Sequence, residues 1–279
     1  MQPVDFRAPR ASARPTIVLL HSSASASRQW SALAARLAAR CDVRAVDFHG
    51  HGGRPAWSRA KPLTLADEVA LVEPILKAAG PVHLVGHSYG GAVALKAAAL
   101  HPSAVASVAV FEPVLFRWLF DAAPDSGAAR EVMAVAVTMR KHLDRGDAYR
   151  AAAPFLDYWA GAGTWESMSI ERRDSAATRM RSVMAHFDAL FGDPLSVEDL
   201  QRVRKPMLFL SGTRSVASMR TISPLLRAAL PDAVHEAVPG LAHMGPVTHA
   251  AEVNERIVDF LDRVLESEGR SSERLRAAA

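Results

Sequence analysis

A serine flanked by glycines is the part of this sequence with the clearest chemical potential. Residues 86–90 read Gly-His-Ser-Tyr-Gly, after a short apolar run and before an Ala-rich segment of helical character. This spacing is typical of the G-x-S-x-G turn between a strand and a helix, which exposes the Ser88 hydroxyl as a nucleophile. Gly86 and Gly90 avoid a collision with the strand and the helix start. The turn also directs the Tyr89 N–H toward negative charge that develops on a carbonyl oxygen.

The elements around that turn decide between a nucleophile and a chance match in a loop. Apolar runs, which predict strands, alternate with apolar residues at helical spacing. The predicted strands are 16–20, 42–48 (expected to be buried), 82–85, 105–111, 206–210 and 233–238, and the predicted helices besides the one after Ser88 are 27–40, 64–79, 219–230 and 250–265. Such alternation implies a parallel sheet, and the strand and helix around Ser88 favour the nucleophile.

The alternation is interrupted between residues 114 and 203, where helical segments occur without a convincing strand. These segments are 127–145, 148–159 and 171–191. We therefore divide the chain into a core, residues 1–113 and 204–279, and a helical insertion, residues 114–203. The charged, Ala-rich tail 266–279 has no evident core face, which predicts a frayed or disordered end.

Composition excludes several classes of function. The chain has 279 residues, 49% of them hydrophobic and 22% charged, which suits one large globular domain or one domain with an insertion. Its formal net charge of +4 comes from scattered arginines, without the basic block and aromatics of a nucleic-acid surface. No segment has the length and apolar content of a signal peptide or a membrane span. The single cysteine, Cys41, is assigned to packing and favours the cytoplasm, with a disulfide-free secreted protein as the alternative.

A Gly-rich segment at residues 47–54 resembles a phosphate-binding loop only superficially. It reads Asp-Phe-His-Gly-His-Gly-Gly-Arg and lacks the Lys-Ser/Thr ending and the helix start of nucleotide-binding motifs. We interpret it as a tight turn, with His49 and His51 as structural residues. No nucleotide, metal or other cofactor is predicted.

Three segments make the chain resemble the α/β-hydrolase superfamily, in the group with a helical cap after the sixth strand. They are the motif at 86–90, the turn at 47–52, and residues 239–244, which read Pro-Gly-Leu-Ala-His-Met before the closing helix. The resemblance covers nearly the whole chain. It implies an α/β fold, with a mostly parallel central sheet flanked by helices and residues 114–203 as the cap. It also implies the chain order nucleophile, acid, histidine.

By this resemblance, His243 is the catalytic base. The family places this residue in the loop after the last strand, where it takes the proton of the serine and later protonates the leaving group. His249, in the same region, is the alternative.

The acid departs from the commonest pattern of the family, an aspartate a few residues after the seventh strand. Residues 211–218 stand there and contain no carboxylate. Some members, including some haloalkane dehalogenases, carry the acid after the sixth strand, and Glu112 occupies that place, 112 − 88 = 24 residues beyond Ser88. A carboxylate at the carboxyl end of a strand faces the ligand crevice, so Glu112 is the predicted acid. The alternatives are a Ser–His dyad, an acid from the cap, and a structural role for Glu112.

The oxyanion loop also departs from the family, because relatives usually show His-Gly where this chain has His21 and Ser22. By position, we assign the oxyanion hole to the N–H groups of Ser23 and Tyr89. Ser22 is also a candidate substrate contact. The hydroxyls of Ser22 and Ser23 contact either the substrate or their own loop, and we favour the loop.

Large aromatic residues in the insertion are candidates for binding an apolar acyl or alcohol group. Trp159 and Trp165 lie on either side of a glycine pair, and Trp118 follows Glu112 closely. Aromatic side chains over such a site would provide an apolar pocket. The alternative is that they fasten the insertion to the core.

These residues together predict a serine hydrolase that cleaves small or medium apolar carboxylic esters through an acyl ester on Ser88. A small ester is its only predicted partner, and the oligomeric state, monomer or homodimer, is open. The same residues would serve a thioesterase, a lactonase, an acyltransferase or a C–C bond hydrolase. Dehalogenase and epoxide hydrolase chemistry is disfavoured because it requires an aspartate nucleophile. A non-catalytic ligand receptor with this fold is the alternative from another class.

Overall fold

A six-stranded parallel sheet forms the centre of the computed structural model, which describes residues 14–58 and 60–277. The N-terminal segment 1–13, for which no signal peptide is predicted, and the end of the predicted tail, 278–279, lie outside the described residues. The strands are β1 (Thr16–Leu20), β2 (Asp42–Val46), β3 (Val82–His87), β4 (Val105–Phe111), β5 (Met207–Gly212) and β6 (Val234–Val238), in the spatial order β2-β1-β3-β4-β5-β6. Neighbouring strands are all parallel, as the alternating pattern predicts.

The inner strands are buried on both faces, whereas the edge strands are not. Every residue of β1, β3 and β4 is buried. The prediction of a buried strand over 42–48 is wrong in this respect, because β2 is an edge strand with Arg44 and Ala45 exposed. An edge strand has a neighbouring strand on one side only and is less completely covered by helices than the inner strands. Some of its side chains therefore remain exposed to solvent.

Thirteen α-helices are described in residues 14–58 and 60–277. They are α1 (Ser31–Leu37), α2 (Leu65–Ala79), α3 (Tyr89–Leu100), α4 (Phe116–Ala122), α5 (Gly127–Asp144), α6 (Ala148–Ala160), α7 (Thr164–Ser167), α8 (Ile170–Ala177), α9 (Met180–Gly192), α10 (Val197–Gln201), α11 (Ala217–Ala229), α12 (Gly245–Thr248) and α13 (Ala250–Ala277), and a 3-10 helix, Ser27–Trp30, precedes α1. Two apolar clusters lie on the two faces of the sheet. One contains residues of α1 and α13, and the other contains residues of α2, α3, α11 and the insertion.

The insertion between β4 and β5 consists of α4 to α10, and none of its residues forms a strand. The insertion follows the fourth strand in the numbering used for this structure. The expected position after the sixth strand refers to the strand numbering of the family. The predicted helix 171–191 is in fact two, α8 and α9. A buried ion pair between Lys96 Nζ of α3 and Asp193 Oδ1, 3.1 Å long, joins the core to the insertion.

The tail is helical, so the prediction of a frayed or disordered end over 266–279 is wrong for its described part. Helix α13 continues to Ala277. Residues 266–271 are exposed, in agreement with the missing core face, but the segment is rich in Glu, Arg and Ala, which favour helices. Glu266 and Arg270 also form an i,i+4 ion pair. No helix in the described residues is both long and apolar enough to cross a membrane.

The strand order determines where a site can form. From β1 the chain moves to one edge of the sheet, and from β2 it crosses back over β1 to β3. The loops after β1 and β3 therefore diverge at neighbouring strand ends, and ligands bind at such a switch point in open α/β sheets. Leu20 and Gly86 are paired in register, so the two loops begin at the same level.

Candidate active site

The sharp turn at Ser88 has the geometry that its glycines predict. Ser88 lies between β3 and α3 with φ 57° and ψ −118°, in the left-handed region that non-glycine residues rarely adopt. A Cβ on Gly86 would lie 2.4 Å from the Gly90 carbonyl oxygen, and one on Gly90 would lie 2.4 Å from the Leu20 carbonyl oxygen. Close backbone packing on both sides of the turn therefore excludes any larger residue and holds the Ser88 side chain at the strand end.

Ser88, His243 and Glu112 form a continuous hydrogen-bonded chain. The distance from Ser88 Oγ to His243 Nε2 is 2.9 Å, and the distance from His243 Nδ1 to Glu112 Oε2 is 2.7 Å. Because a carboxylate only accepts, Nδ1 carries the imidazole proton and Nε2 is left to accept the proton of the serine. This arrangement has the geometry of a nucleophile, a base and an orienting acid.

Glu112 is held in place at the end of β4. It accepts hydrogen bonds from the Gly212 N–H at 2.8 Å and from the Ser215 hydroxyl at 2.6 Å, besides the one from His243. Its side chain is buried, and its φ of 43° is again in the left-handed region. Such backbone strain persists only where the surroundings fix it. Three donors on one buried carboxyl satisfy its oxygens and fix its orientation toward His243.

His243 is fixed from several directions in the loop after β6. Its ring lies 4.2 Å from that of Trp159, measured between centroids. His249, the alternative base, is exposed, and its Nδ1 lies 2.9 Å from the Thr248 hydroxyl. The structure thus brings His243, and not His249, to Ser88.

Both predicted oxyanion donors lie at the cavity that contains Ser88. Ser23 and Tyr89 line it, and the Tyr89 N–H is at the first position of α3, where no acceptor exists within the helix. The Ser22 N–H is not available, because it donates to Gln29 Oε1 at 3.0 Å. This bond leaves the next N–H along the loop, that of Ser23, as the candidate that faces the cavity.

The serine hydroxyls of this loop have two different partners. Ser22 Oγ donates to Gln29 Oε1 at 2.9 Å, so it bonds within its own segment, as we favoured. Ser23 Oγ instead lies 2.9 Å from Nδ1 of His186, a residue of the insertion. For Ser23, the expectation of a bond within the loop is therefore wrong.

A chain of polar side chains joins the oxyanion loop to the base. Since Gln29 Oε1 accepts from Ser22, its Nε2 donates to His87 Nδ1 at 3.1 Å. His87 Nε2 then donates to the His243 carbonyl at 2.9 Å. Complete burial, with the nearby His243 as a smaller cause, holds the pKa of His87 well below its usual value, so the ring is neutral. Gln29 and His87 are functional candidates that the sequence analysis missed.

The cavity above Ser88 is small and largely apolar. Its volume is about 240 Å³. The residues that line it besides Ser88, Tyr89 and His243 come from the oxyanion loop (22–25), from the segment after β4 and the insertion (Val114, Phe116, Phe155, Leu156, Trp159, Ala160, Phe187, Leu190), and from the base loop (Met244, Val247). Apolar walls with few polar groups are typical of small-molecule sites.

Only two of the four predicted substrate contacts belong to this cavity. Ser22 and Trp159 line it. Trp118 is turned away, and its Nε1 donates to the Leu195 carbonyl at 2.8 Å. Trp165 packs edge-on against Tyr149 with a centroid distance of 4.7 Å. Both of these contacts lie within residues 114–203, so they stabilise the insertion itself and do not show the alternative, that these aromatics fasten it to the core.

Ser215 and His186 also belong to the site and were missed, because neither residue stands in a recognisable sequence motif. Ser215 stands in the segment noted for lacking a carboxylate, and its hydroxyl has the role of holding the carboxyl of Glu112. His186 lies in the middle of the amphipathic helix α9, where a buried histidine has no sequence signature.

Within the described ranges, no group of three or more His, Cys, Asp or Glu residues is arranged to hold a metal ion.

Comparisons with known proteins agree with this architecture. Lipase LipV of Mycobacterium tuberculosis is 33% identical over 134 residues, which make up 47% of this chain and 47% of LipV. The pimeloyl-(acyl-carrier protein) methyl ester esterase of Chromobacterium violaceum is 36% identical over 96 residues, 34% of this chain and 36% of the esterase. The chain thus spans about half the length, or less, of these curated relatives.

Similar solved structures cover far more of the chain. The enol-lactonase from Burkholderia xenovorans LB400 has a TM-score of 0.71 at 23% identity, over 90% of this chain and 92% of that chain. MGS-M2, an alpha/beta hydrolase enzyme from a Medee basin deep-sea metagenome library, has a TM-score of 0.72 at 17% identity, over 92% of each chain. A family model described as the alpha/beta hydrolase family matches residues 17–256. Since that match spans most of the sequence and includes all three hydrogen-bonded residues, the chain belongs to the alpha/beta hydrolase family.

Proposed function

We propose that this protein is a serine hydrolase that cleaves carboxylic esters with small or medium apolar groups. The observation that carries the proposal is the unbroken chain from Ser88 through His243 to Glu112, at 2.9 and 2.7 Å, below an apolar cavity. Two relatives with partial matches are a lipase and a methyl ester esterase, and both names describe ester cleavage.

Acylation begins when His243 Nε2 takes the proton of Ser88 Oγ as that oxygen attacks the ester carbonyl. The positive charge that develops on the imidazole is stabilised by Glu112, which also keeps the ring in the correct tautomer. The negative charge on the carbonyl oxygen is stabilised by the N–H groups of Ser23 and Tyr89. His243 then protonates the departing alcohol, and an acyl ester remains on Ser88.

Deacylation repeats these steps with water as the nucleophile. His243 takes a proton from water, the oxyanion donors bind the second tetrahedral intermediate, and Ser88 leaves with the returned proton. Every proton of the cycle therefore passes through one nitrogen, Nε2 of His243. Any change that displaces this nitrogen by a fraction of an ångström therefore affects both acylation and deacylation.

The volume and the lining of the cavity favour a substrate with a small, apolar acyl or alcohol group. Its volume of about 240 Å³ lies below the range of about 300–1,000 Å³ for drug-sized ligands. Phe155, Trp159 and Phe187 supply much of its wall from the insertion. We therefore assign the cap role to residues 114–203 and the core role to 1–113 and 204–279. A small ester is the proposed partner, and the cytoplasm is the proposed location, since the only cysteine, Cys41, is a buried thiol.

A fluorophosphonate probe tests the proposal directly, because it reacts with serines that a neighbouring base activates. The wild-type protein should be labelled at Ser88, and the variants Ser88→Ala and His243→Ala should not. His249→Ala is the matched control, since that histidine is exposed and should leave labelling unchanged. An unlabelled wild-type protein would reject the hydrolase in favour of a non-catalytic receptor.

The type of bond needs a second measurement. A panel of p-nitrophenyl esters of graded acyl length, run beside thioester and lactone substrates, should give the highest kcat/KM for a short acyl ester. A preference of tenfold or more for a thioester or a lactone would overturn the ester assignment while leaving the nucleophile in place.

A further inference from the structure

A second glutamate–histidine pair, Glu68 and His186, contacts the oxyanion loop through Ser23. The Ser23 hydroxyl is 2.9 Å from Nδ1 of His186, and Nε2 of the same ring is 3.6 Å from Oε1 of Glu68. Serine, histidine and carboxyl thus follow one another as they do at Ser88. Ser23 lines the cavity and contributes a predicted oxyanion donor, so this second chain ends at the reaction centre.

The pair is rigidly packed and completely buried. The rings of His186 and Tyr89 are stacked at 3.7 Å with an interplanar angle of 3°, and His51 stacks with His186 at 4.6 Å. Glu68 and His186 are both 0% exposed. Glu68 Oε1 and His186 Nε2 have no hydrogen-bond partner in the described part of the chain. Two buried polar atoms that face each other in this way gain most by sharing a proton, which a small closure of the gap permits.

One proton decides in which direction the whole chain donates. With Glu68 protonated, its O–H donates to His186 Nε2, Nδ1–H donates to Ser23 Oγ, and the Ser23 hydroxyl proton is free to bind a substrate oxygen. With Glu68 ionised, His186 Nε2–H donates to the carboxylate, and Nδ1 accepts the Ser23 hydroxyl proton. In the second state the hydroxyl has nothing left to donate into the cavity. The two states differ by the single proton that Glu68 releases to solvent.

We propose that the Ser23 hydroxyl is a third donor to the substrate's carbonyl oxygen, and that Glu68 and His186 are positioning residues that turn this donor on and off with pH. The proposal rests on the serine hydrolase function proposed above. It adds a side-chain donor to the two N–H groups of the oxyanion hole. It also gives α9 of the insertion a part in the reaction beyond covering the cavity.

The pH range of this switch follows from burial. Desolvation raises the pKa of Glu68 to about 7, although the nearby His49 and a hydrogen bond from its N–H at 3.3 Å favour the charged form. Desolvation also holds the pKa of His186 well below its usual value, so this ring is neutral in both states. The other titratable groups and charges that interact with the pair are His21, His51, Arg54, Asp67 and Tyr89, and Arg179 acts in turn on His51. The donor is therefore present below about pH 7 and lost above it.

The ratio of kcat between the wild type and Ser23→Ala tests the donor. Alanine keeps the backbone N–H and removes only the hydroxyl. The ratio should be about ten near pH 6, the scale of one neutral donor, and should approach one near pH 8.5. Because the two proteins differ only at residue 23, any pH dependence that they share cancels in this ratio. Ser25→Ala, in the same loop, is the matched control, and its ratio should not vary with pH.

Glu68→Gln tests the positioning pair with a side chain of the same shape. The amide nitrogen donates to His186 Nε2 at every pH, and the amide oxygen can still accept from the His49 N–H. The variant should match the wild type near pH 6 and exceed its kcat by up to about tenfold near pH 8.5. Glu73→Gln, on the same helix and partly exposed, should show no such gain. Circular dichroism establishes that each variant is folded, and either variant alone decides the question.

The outcomes separate this inference from the proposed function. If Ser88 is labelled by the fluorophosphonate but the Ser23→Ala ratio is the same at both pH values, the donor switch is wrong and the hydrolase stands. The donor switch is likewise wrong, and the hydrolase stands, if the kcat of Glu68→Gln varies with pH in the same way as that of the wild type. If the wild type is not labelled, the hydrolase and the switch are both rejected.

Discussion

Two buried glutamate–histidine pairs contact the site, one through Ser88 and one through Ser23 of the oxyanion loop, and they differ in their hydrogen bonds but not in residue type. In the pair of Glu112 and His243, carboxylate and imidazole are 2.7 Å apart. In the pair of Glu68 and His186, the corresponding distance is 3.6 Å, and both facing atoms lack a hydrogen bond within the described residues. Burial does not distinguish them, since all four side chains are at most 2% exposed.

The difference lies in the donors that surround each carboxyl. Glu112 accepts from a backbone N–H, a hydroxyl and an imidazole, all within 2.8 Å. Glu68 accepts from one backbone N–H at 3.3 Å, and burial raises its pKa to about 7. Hydrogen bonds to the ionised form offset desolvation, and their absence leaves it uncompensated. The same two residue types therefore give a fully hydrogen-bonded orienting pair at Ser88 and a pair with a raised carboxyl pKa at Ser23.

Replacing each glutamate by glutamine should break the comparison most clearly. Glu112→Gln removes the charge that stabilises the imidazolium and presents an amide that can fix the wrong tautomer of His243. We expect kcat to fall by about 10⁴, the scale known for replacing the acid by its amide in a Ser-His-Asp triad. Glu68→Gln should change kcat by about tenfold at most. Steady-state kinetics with one p-nitrophenyl ester measures both, and nearly normal turnover in Glu112→Gln would leave a Ser–His dyad.

A second substitution provides the rescue. Ser215 Oγ is 2.6 Å from the carboxylate oxygen of Glu112 that contacts His243, so an aspartate at this position places a carboxylate close to the same imidazole nitrogen. The double variant Glu112→Gln with Ser215→Asp should recover at least tenfold of the lost kcat. An unrecovered double variant that is folded would mean that the backbone at Glu112 sets a geometry that residue 215 does not reproduce.

The second pair should also be recognisable from the pH dependence of the unfolding free energy, which Glu68→Gln should change. The folded-state pKa of Glu68, about 7, is above the ordinary 4.5, so the stability that its protonated form contributes is fully present below pH 4.5 and is lost as pH rises to 7. Glutamine does not titrate. The unfolding free energy of Glu68→Gln, relative to the wild type, should rise by on the order of 3 kcal/mol over this range. Urea unfolding at several pH values measures it, and parallel curves for the two proteins would contradict the raised pKa.

Much of the fold could be predicted because its signals are local. The turn at Ser88 requires glycines where a Cβ would lie 2.4 Å from backbone oxygens, and this requirement is visible in the sequence. The prediction of an α/β-hydrolase fold is confirmed by the family match over residues 17–256. The edge position of β2 and the helical continuation of α13 were missed, since strand order and the docking of a terminal helix depend on contacts distant in sequence.

The site divides in a similar way. Ser88, Glu112 and His243 each follow a strand of the predicted parallel sheet, whose carboxyl ends lie at one edge, and the structure brings the three residues together. Trp165 carries no such constraint, because a large aromatic in a helical insertion packs equally well toward the cavity or away from it. His186 could not be found either, since it lies inside helix α9 rather than after a strand, and nothing in the sequence marks Ser23 as its partner.

The smallest effect concerns the hydroxyl of Ser215, which donates a hydrogen bond to the carboxyl of Glu112. Ser215→Ala removes one of three hydrogen bonds to this carboxylate and moves its environment toward that of Glu68. A hydrogen bond to a charged group contributes about 1.5–3 kcal/mol, so we expect the unfolding free energy to fall by about 2 kcal/mol and kcat by about tenfold. Ser211→Ala, in the same segment, is the control for losing a hydroxyl. If Ser215→Ala keeps the wild-type stability and kcat, the backbone N–H of Gly212 and the imidazole of His243 suffice to hold the Glu112 side chain in place, and the contrast between the pairs rests on fewer donors than the three described.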